Sequence, residues 1–292
     1  MSKFILFIIK ILAILFLAAL LLDVLYTSLY SNVVNTTKFD FIKNQHDKHF
    51  NYVFMGSSRV VNHINPRIID SMTNKKSINF GVMDAKPKDI FTLLQLMDLY
   101  SIQSDTLFIQ TDYYYNSRDK SKFLYVDLLP YIRDQRIITS YFRDEKDFWS
   151  LYYFPFYRYS KNSSKLGVRE LVVSLKRKNI FEQDKGYIGL KGSDGKWQRE
   201  LPKKLKKNSF YNDSIKNYLN STNNIAIFFT APFRPDTKNL FFVSQLKKEY
   251  QMFWDFSMLI SDDKLFKNGY HLNDEGAQQF SQQFSNTIIS KQ

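Results

Sequence analysis

Phe4 to Leu22 is a run of 19 residues interrupted by one charge, Lys10. As a helix it is just long enough to cross about 30 Å of hydrocarbon, and it lacks the polar face of a surface helix. Lys10 stands in its first third, where the aliphatic stem can carry the ammonium towards the headgroups. Asp23 closes the run. Lys3 and the terminal amine are the charges that precede it, so positive-inside bias keeps the short tail in the cytoplasm and sends the remaining chain across. A cleaved signal peptide has an apolar core of about 7–15 residues followed by a small-x-small site. The flank here reads Asp23-Val-Leu-Tyr-Thr-Ser-Leu-Tyr, with no Ala-x-Ala, which favours an uncleaved signal anchor over residues 1–30.

Export gives the absence of cysteine its meaning. None of the 292 residues is Cys, so disulfides, thiolate metal sites and cysteine nucleophiles are excluded. Secreted eukaryotic domains of this size usually carry disulfides, so the body reads as a bacterial envelope domain, periplasmic or extracellular. Four His are too few for His-rich metal centres, and neither a metal nor a cofactor is expected.

Residues 31–50 are polar and read as a stalk, and residues 51–292 as the folded domain. Short apolar runs at Tyr52–Met55, Ser77–Phe80, Thr106–Gln110, Asn224–Thr230 and Phe253–Phe256 read as strands. Helical patterns stand at Pro66–Met72, Pro87–Tyr100, Leu240–Tyr250 and Asp274–Ile289. This alternation predicts an α/β fold, a parallel sheet with helices on both faces. Strands covered on both faces need no in/out alternation, as seen here.

The stretch from about 116 to 210 breaks the rhythm and reads as a mostly helical insertion. It holds 22 Lys/Arg and 11 Asp/Glu, which is +11 of the chain's +13. Lys176-Arg177-Lys178, Lys203-Lys204-Leu-Lys206-Lys207 and the aromatic run Tyr152–Tyr157 fall inside it. Solvated faces and core packing explain such runs, and contact with anionic headgroups or a glycan is the competing reading. Nucleic acid is not an expected partner for a body outside the cytoplasm.

Three segments carry candidate chemistry. Gly56-Ser57-Ser58-Arg59 ends the first strand, on the edge where open α/β sheets bind ligands. Ile78-Asn79-Phe80-Gly81 ends the second, where a Gly exposes a backbone N–H that can serve an oxyanion. Asn268-Gly-Tyr-His271-Leu-Asn-Asp-Glu-Gly276-Ala277 precedes the last helix and offers a general base. Arg59 has two readings, a partner for a buried acid or a clamp for an anionic substrate group. His63, five residues past Ser58, reads as structural or exposed.

Together these segments resemble the SGNH (GDSL-like) hydrolase superfamily, and more closely its membrane-anchored envelope branch, in which Gly-Ser-Ser-Arg replaces Gly-Asp-Ser. The resemblance covers residues 50–115 and 222–290. It implies a flavodoxin-like three-layer α/β/α sandwich. It also implies Ser58 as nucleophile and oxyanion donor, Gly81 as a second donor, His271 as base and Asn268 in the position of an Asp. Two features depart from the pattern. The third strand ends Gln110-Thr111-Asp112 with no Gly-x-Asn, and Asn268 is uncharged. The activity implied is hydrolysis or transfer of acyl esters on a cell-envelope glycan, with a membrane acyltransferase as a possible partner. A catalytically inactive glycan-binding or scaffold protein on the same fold is the alternative.

Overall fold

The computed structural model describes residues 2–194, 199–206, 210–222 and 224–291. The last residue of the second basic run, Lys207, lies outside them. The chain divides into two compact units, Met1–Asp40 with Tyr125–Asn179, and Phe41–Leu124 with Ile180–Gln292.

The second unit is built on five strands, β1 (His49–Met55), β2 (Ser77–Asn79), β3 (Gln103–Gln110), β4 (Ile225–Thr230) and β5 (Phe253–Asp255). Every pairing is parallel and the order is β2-β1-β3-β4-β5. Phe54 stands in register with Asn79 on one side and Phe108 on the other. Helices Pro66–Thr73 and Asp274–Lys291 pack together on one face, and Pro87–Leu99 and Phe210–Asn220 on the opposite one. The fold class is therefore the three-layer α/β/α sandwich, with one N-terminal apolar helix. The helix at Pro66 begins where proline is tolerated, behind Asn65, whose side chain accepts the Arg67 N–H. It stops at Asn74 in the left-handed region at φ 53°.

Phe284 of the last helix holds the first face together. Its ring lies 5.4 Å from Phe54, 5.1 Å from Phe108, 5.1 Å from Phe229 and 5.5 Å from Trp254. One aromatic from each of β1, β3, β4 and β5 thus meets a single side chain, mostly edge-on, the favoured geometry for ring quadrupoles.

The first unit starts with the helix Ser2–Asn32, long and apolar enough to cross a membrane. Phe4 to Leu22 touch little else, whereas Asp23, Tyr26 and Tyr30 are buried. Asp23 accepts from Arg133 at 2.7 Å, from Arg158 at 3.3 Å and from the Phe156 N–H at 3.0 Å. Tyr26 meets Phe156 edge-on at 4.9 Å, and Tyr30 stacks on Tyr159 at 6.0 Å. A carboxylate taken out of water needs such partners. Arg158 on the helix Tyr157–Lys161 and the turns at Arg133 and Phe156 supply them.

Two expectations about organisation change. Residues 31–50 do not form a plain polar stalk. Lys38–Lys43 is a helix with Phe39, Phe41 and Ile42 buried, and β1 already starts at His49. The apolar side chains dictate this, because Phe39 packs edge-on against Tyr131 and Phe41 against Phe80. The 116–210 segment is not one insertion either. Tyr125–Asn179 clusters with the N-terminal helix, and its flanks belong to the unit of the sheet. Lys176, Arg177, Lys178, Lys203 and Lys204 are solvated. The aromatic run is split, with Tyr153 and Phe154 exposed and Phe156 packed.

Candidate active site

The loop that carries Ser57 and Ser58 follows β1 directly. Gly56 is required by close approach, since a Cβ there would meet Val60 at 2.4 Å and Gln110 Oε1 at 2.6 Å. Ser57 is the N-cap of the one-turn helix Ser58–Val61, and its Oγ accepts the Arg59 N–H. Gln110, the last residue of β3, accepts from both the N–H and the hydroxyl of Ser57, at 2.9 and 3.0 Å. With Ser57 so occupied, Ser58 is the serine that faces the base.

Ser58 Oγ lies 2.7 Å from His271 Nε2, across 213 residues of sequence. On the other side of the ring, Nδ1 lies 3.2 Å from Asn268 Oδ1. The same Oδ1 accepts the N–H groups of Tyr270 and His271, at 2.8 and 3.0 Å. Three donors converging on one atom fix the amide's orientation. Nδ1 then carries the ring proton, and Nε2 is left to accept from Ser58. Asp262 and Asp263, acids shortly before Asn268 in the chain, have other duties. Asp262 caps the turn at Lys264, and Asp263 pairs with Arg234 at 3.4 Å.

Burial, helped by the charges of Arg59 and Arg199, pushes the His271 imidazole down to about 4. The ring is therefore neutral at neutral pH and able to take a proton. His63, fully buried, is likewise held well below its ordinary value by burial and by Arg59 and His271. Its Nε2 accepts the Leu272 N–H at 3.0 Å, which fastens the strand of chain that carries the base. The role is structural.

Arg59 follows one of its two readings, the partner of a buried acid, and Gly81 departs from its own. Arg59 is not a substrate clamp, because it is fully buried. Its guanidinium donates to Asp112 at 2.7 Å and to the carbonyls of Ala231 and Pro232, and stacks on Phe233 at 3.8 Å. A charge this deep requires such neutralisation, and Asp112 at the end of β3 provides it. Gly81 does not offer a free N–H, since it donates to Asn79 Oδ1 at 2.9 Å. The Asn79 amide also donates to the carbonyls of Val60 and Ile64, so it ties β2 to the nucleophile turn. Gly81 is needed for space instead, because a Cβ would lie 2.8 Å from Val60 Cβ and the Val61 nitrogen. The Ser58 N–H makes no hydrogen bond among the described residues.

Gln110, Asp112 and Asn79 were not singled out from sequence as part of this scaffold. The available signal is polar residues closing buried strands, where an unpaired amide or carboxylate is costly. Among the described residues no group of three His, Asp or Glu could hold a metal ion.

The strand order β2-β1-β3-β4-β5 is the flavodoxin-like one, with the serine after β1 and the histidine after β5 on one sheet edge. This strand order and the three-layer arrangement are those expected from the SGNH (GDSL-like) resemblance. Among solved structures, one of a protein assigned to the lipolytic G-D-S-L family, from Desulfitobacterium hafniense DCB-2, aligns with 81% of this chain and 98% of its own, at 10% identity and a TM-score of 0.40. No family model matches the sequence, and no curated protein matches it.

Proposed function

We propose that this SGNH-fold protein is a membrane-anchored serine esterase or O-acyltransferase acting on acyl esters of cell-envelope glycans. The observation that carries the reading is the 2.7 Å contact between Ser58 Oγ and His271 Nε2, with the far ring nitrogen held by Asn268. Ser58 Oγ attacks the ester carbonyl while His271 takes its proton. The Ser58 N–H holds the oxyanion. The intermediate collapses as His271 returns the proton to the departing alcohol, leaving acyl-Ser58. Water or a sugar hydroxyl, deprotonated by His271, then attacks the acyl group and restores the serine.

The helix Ser2–Asn32 would anchor the protein in a bacterial cytoplasmic membrane with the SGNH domain outside. Exposed Trp149, stacked on Tyr153 at 5.7 Å, suits a sugar face or the bilayer interface. A membrane acyltransferase that delivers acyl groups is the partner this chemistry calls for.

One observation favours a second reading, an inactive glycan-binding or scaffold protein. The site has an uncharged Asn268 behind its base and one unoccupied backbone donor. The test is fluorophosphonate labelling of the full chain in detergent, read by intact mass and peptide mapping. An adduct on Ser58 that disappears in Ser58→Ala and falls steeply in His271→Ala supports the enzyme. Absence of an adduct on folded protein, at high probe and several pH values, overturns it in favour of the second reading.

A further inference from the structure

Among the described residues, Arg199 has no counter-ion. It is 9% exposed, and its Nε and Nη1 have no hydrogen-bond partner among the described residues. A buried guanidinium without acceptors is costly, and the fold nevertheless builds a seat for it. Its carbon lies 3.3 Å from the centre of the Tyr113 ring and 4.0 Å from that of Tyr270. Its backbone is fixed as well, because its carbonyl accepts the Lys238 N–H at 2.8 Å and the neighbouring Glu200 forms a parallel bridge with Lys238. Two aromatic faces hold the plane of the guanidinium and leave its N–H edge as the part still requiring a partner.

The position of Tyr270 sets which half of a substrate would meet that edge. Tyr270 immediately precedes His271, and the base hands its proton to the departing alcohol. The oxyanion is held from Ser58, on the other side of the reacting carbon. Arg199 is stacked on the residue that precedes that base.

We infer that Arg199 is a specificity residue that binds a carboxylate or phosphate carried by the alcohol half of the ester. The inference rests on the Ser58–His271 reading and names its substrate class, an anionic glycan or polyol in place of a neutral one. An Arg fork suits either oxyanion, since both accept two parallel N–H bonds. An anion seated there would also cancel one of the two positive charges that depress the basicity of His271. Binding of the correct alcohol would thus strengthen the base that serves it.

The test uses the full chain in detergent and three activated phosphonate esters that differ only at the end of the departing aryloxy arm. One ends in a carboxylate, one in its methyl ester and one in a phosphate monoester. The measured quantity is the second-order rate of Ser58 modification. Wild type should react about tenfold faster with an anionic probe than with the methyl ester, the scale of one charge-assisted contact. Arg199→Met should bring that ratio close to one, and Arg199→Lys should retain part of it. The larger Arg199-dependent ratio tells a carboxylate-bearing from a phosphate-bearing substrate. A wild-type ratio near one overturns the inference, as does a ratio that survives in Arg199→Met, including the case where all rates fall together. If the methyl ester labels Ser58 in any of these cases, the nucleophile reading stands and only the specificity inference fails. If no probe labels Ser58 on protein with an intact thermal transition, both fail.

Discussion

His63 and His271 face each other with ring centres 6.0 Å apart and planes at 87°, and the first fastens the backbone next to the second. His63 is buried and His271 half-buried, and both are held as neutral imidazoles near Arg59. Below the ordinary value of about 6.5 the unfolded chain takes up protons that the folded chain refuses. Stability is thus complete above that pH and declines as the pH falls from 6.5 towards 4. Each such site adds a slope of at most about 1.4 kcal/mol per pH unit. Thermal melts of the full chain between pH 7.5 and 4.5 should show the decline. His63→Gln, which keeps an acceptor for Leu272, should flatten it by about one proton. An unchanged slope would mean that His63 is not held neutral.

Asn268→Asp supplies the charge that the base lacks. A carboxylate accepting from Nδ1 stabilises the imidazolium formed as Ser58 attacks. In serine proteases the reverse change lowers turnover by about 10⁴. The expected result is a rise in Ser58 labelling rate at pH 7 of roughly tenfold or more. The acid limb of the pH profile should also move upward, because the added carboxylate opposes the burial and cationic charge that push His271 down to about 4. A rate that stays the same or falls would show that Asn268 does not act through His271.

Phe284→Ala removes the ring on which β1, β3, β4 and β5 converge. A cavity among four aromatics that cannot collapse should cost about 3–5 kcal/mol. Denaturant titration of the full chain measures it. A loss under about 1 kcal/mol would mean that the neighbouring rings repack.

Asp23→Asn strips the charge that two guanidiniums share at the end of the apolar stretch. Arg158 is then left buried without a counter-ion, at a cost of about 3 kcal/mol to the helical unit. Limited proteolysis should cut within 133–179 far sooner than in wild type. An unchanged cleavage pattern would assign the packing to Tyr26, Tyr30 and Tyr159 alone.

The sheet was legible because each strand is a short apolar run closed by Gly, Pro or a polar residue. Its edges were not. β1 and β3 start three residues before their apolar stretches, where His49 and Asn51 pair with Asp105 in solvent. Nor could 125–179 be read, because its helices, several of only four to seven residues, are held by aromatic contacts with no amphipathic period. In the site, the topology explains how Ser58 and His271 meet, since both follow strands on one edge. Arg59 and Gly81 differ because a neighbour's side chain claims each of them. Spacing shows neither the reach of Asp112 nor that of Asn79. Arg199 stood in a segment so rich in surplus lysine and arginine that nothing marked it out.

The 213-residue separation between Ser58 and His271 also orders events in time. Ser58, with its turn and first strand, is made well before His271, and the helix that carries Phe284 follows His271 in the chain. Parallel strands paired over such spans form slowly. A growing chain therefore holds Ser58 without its partner until His271 has been made, and the contact between them can close only after that.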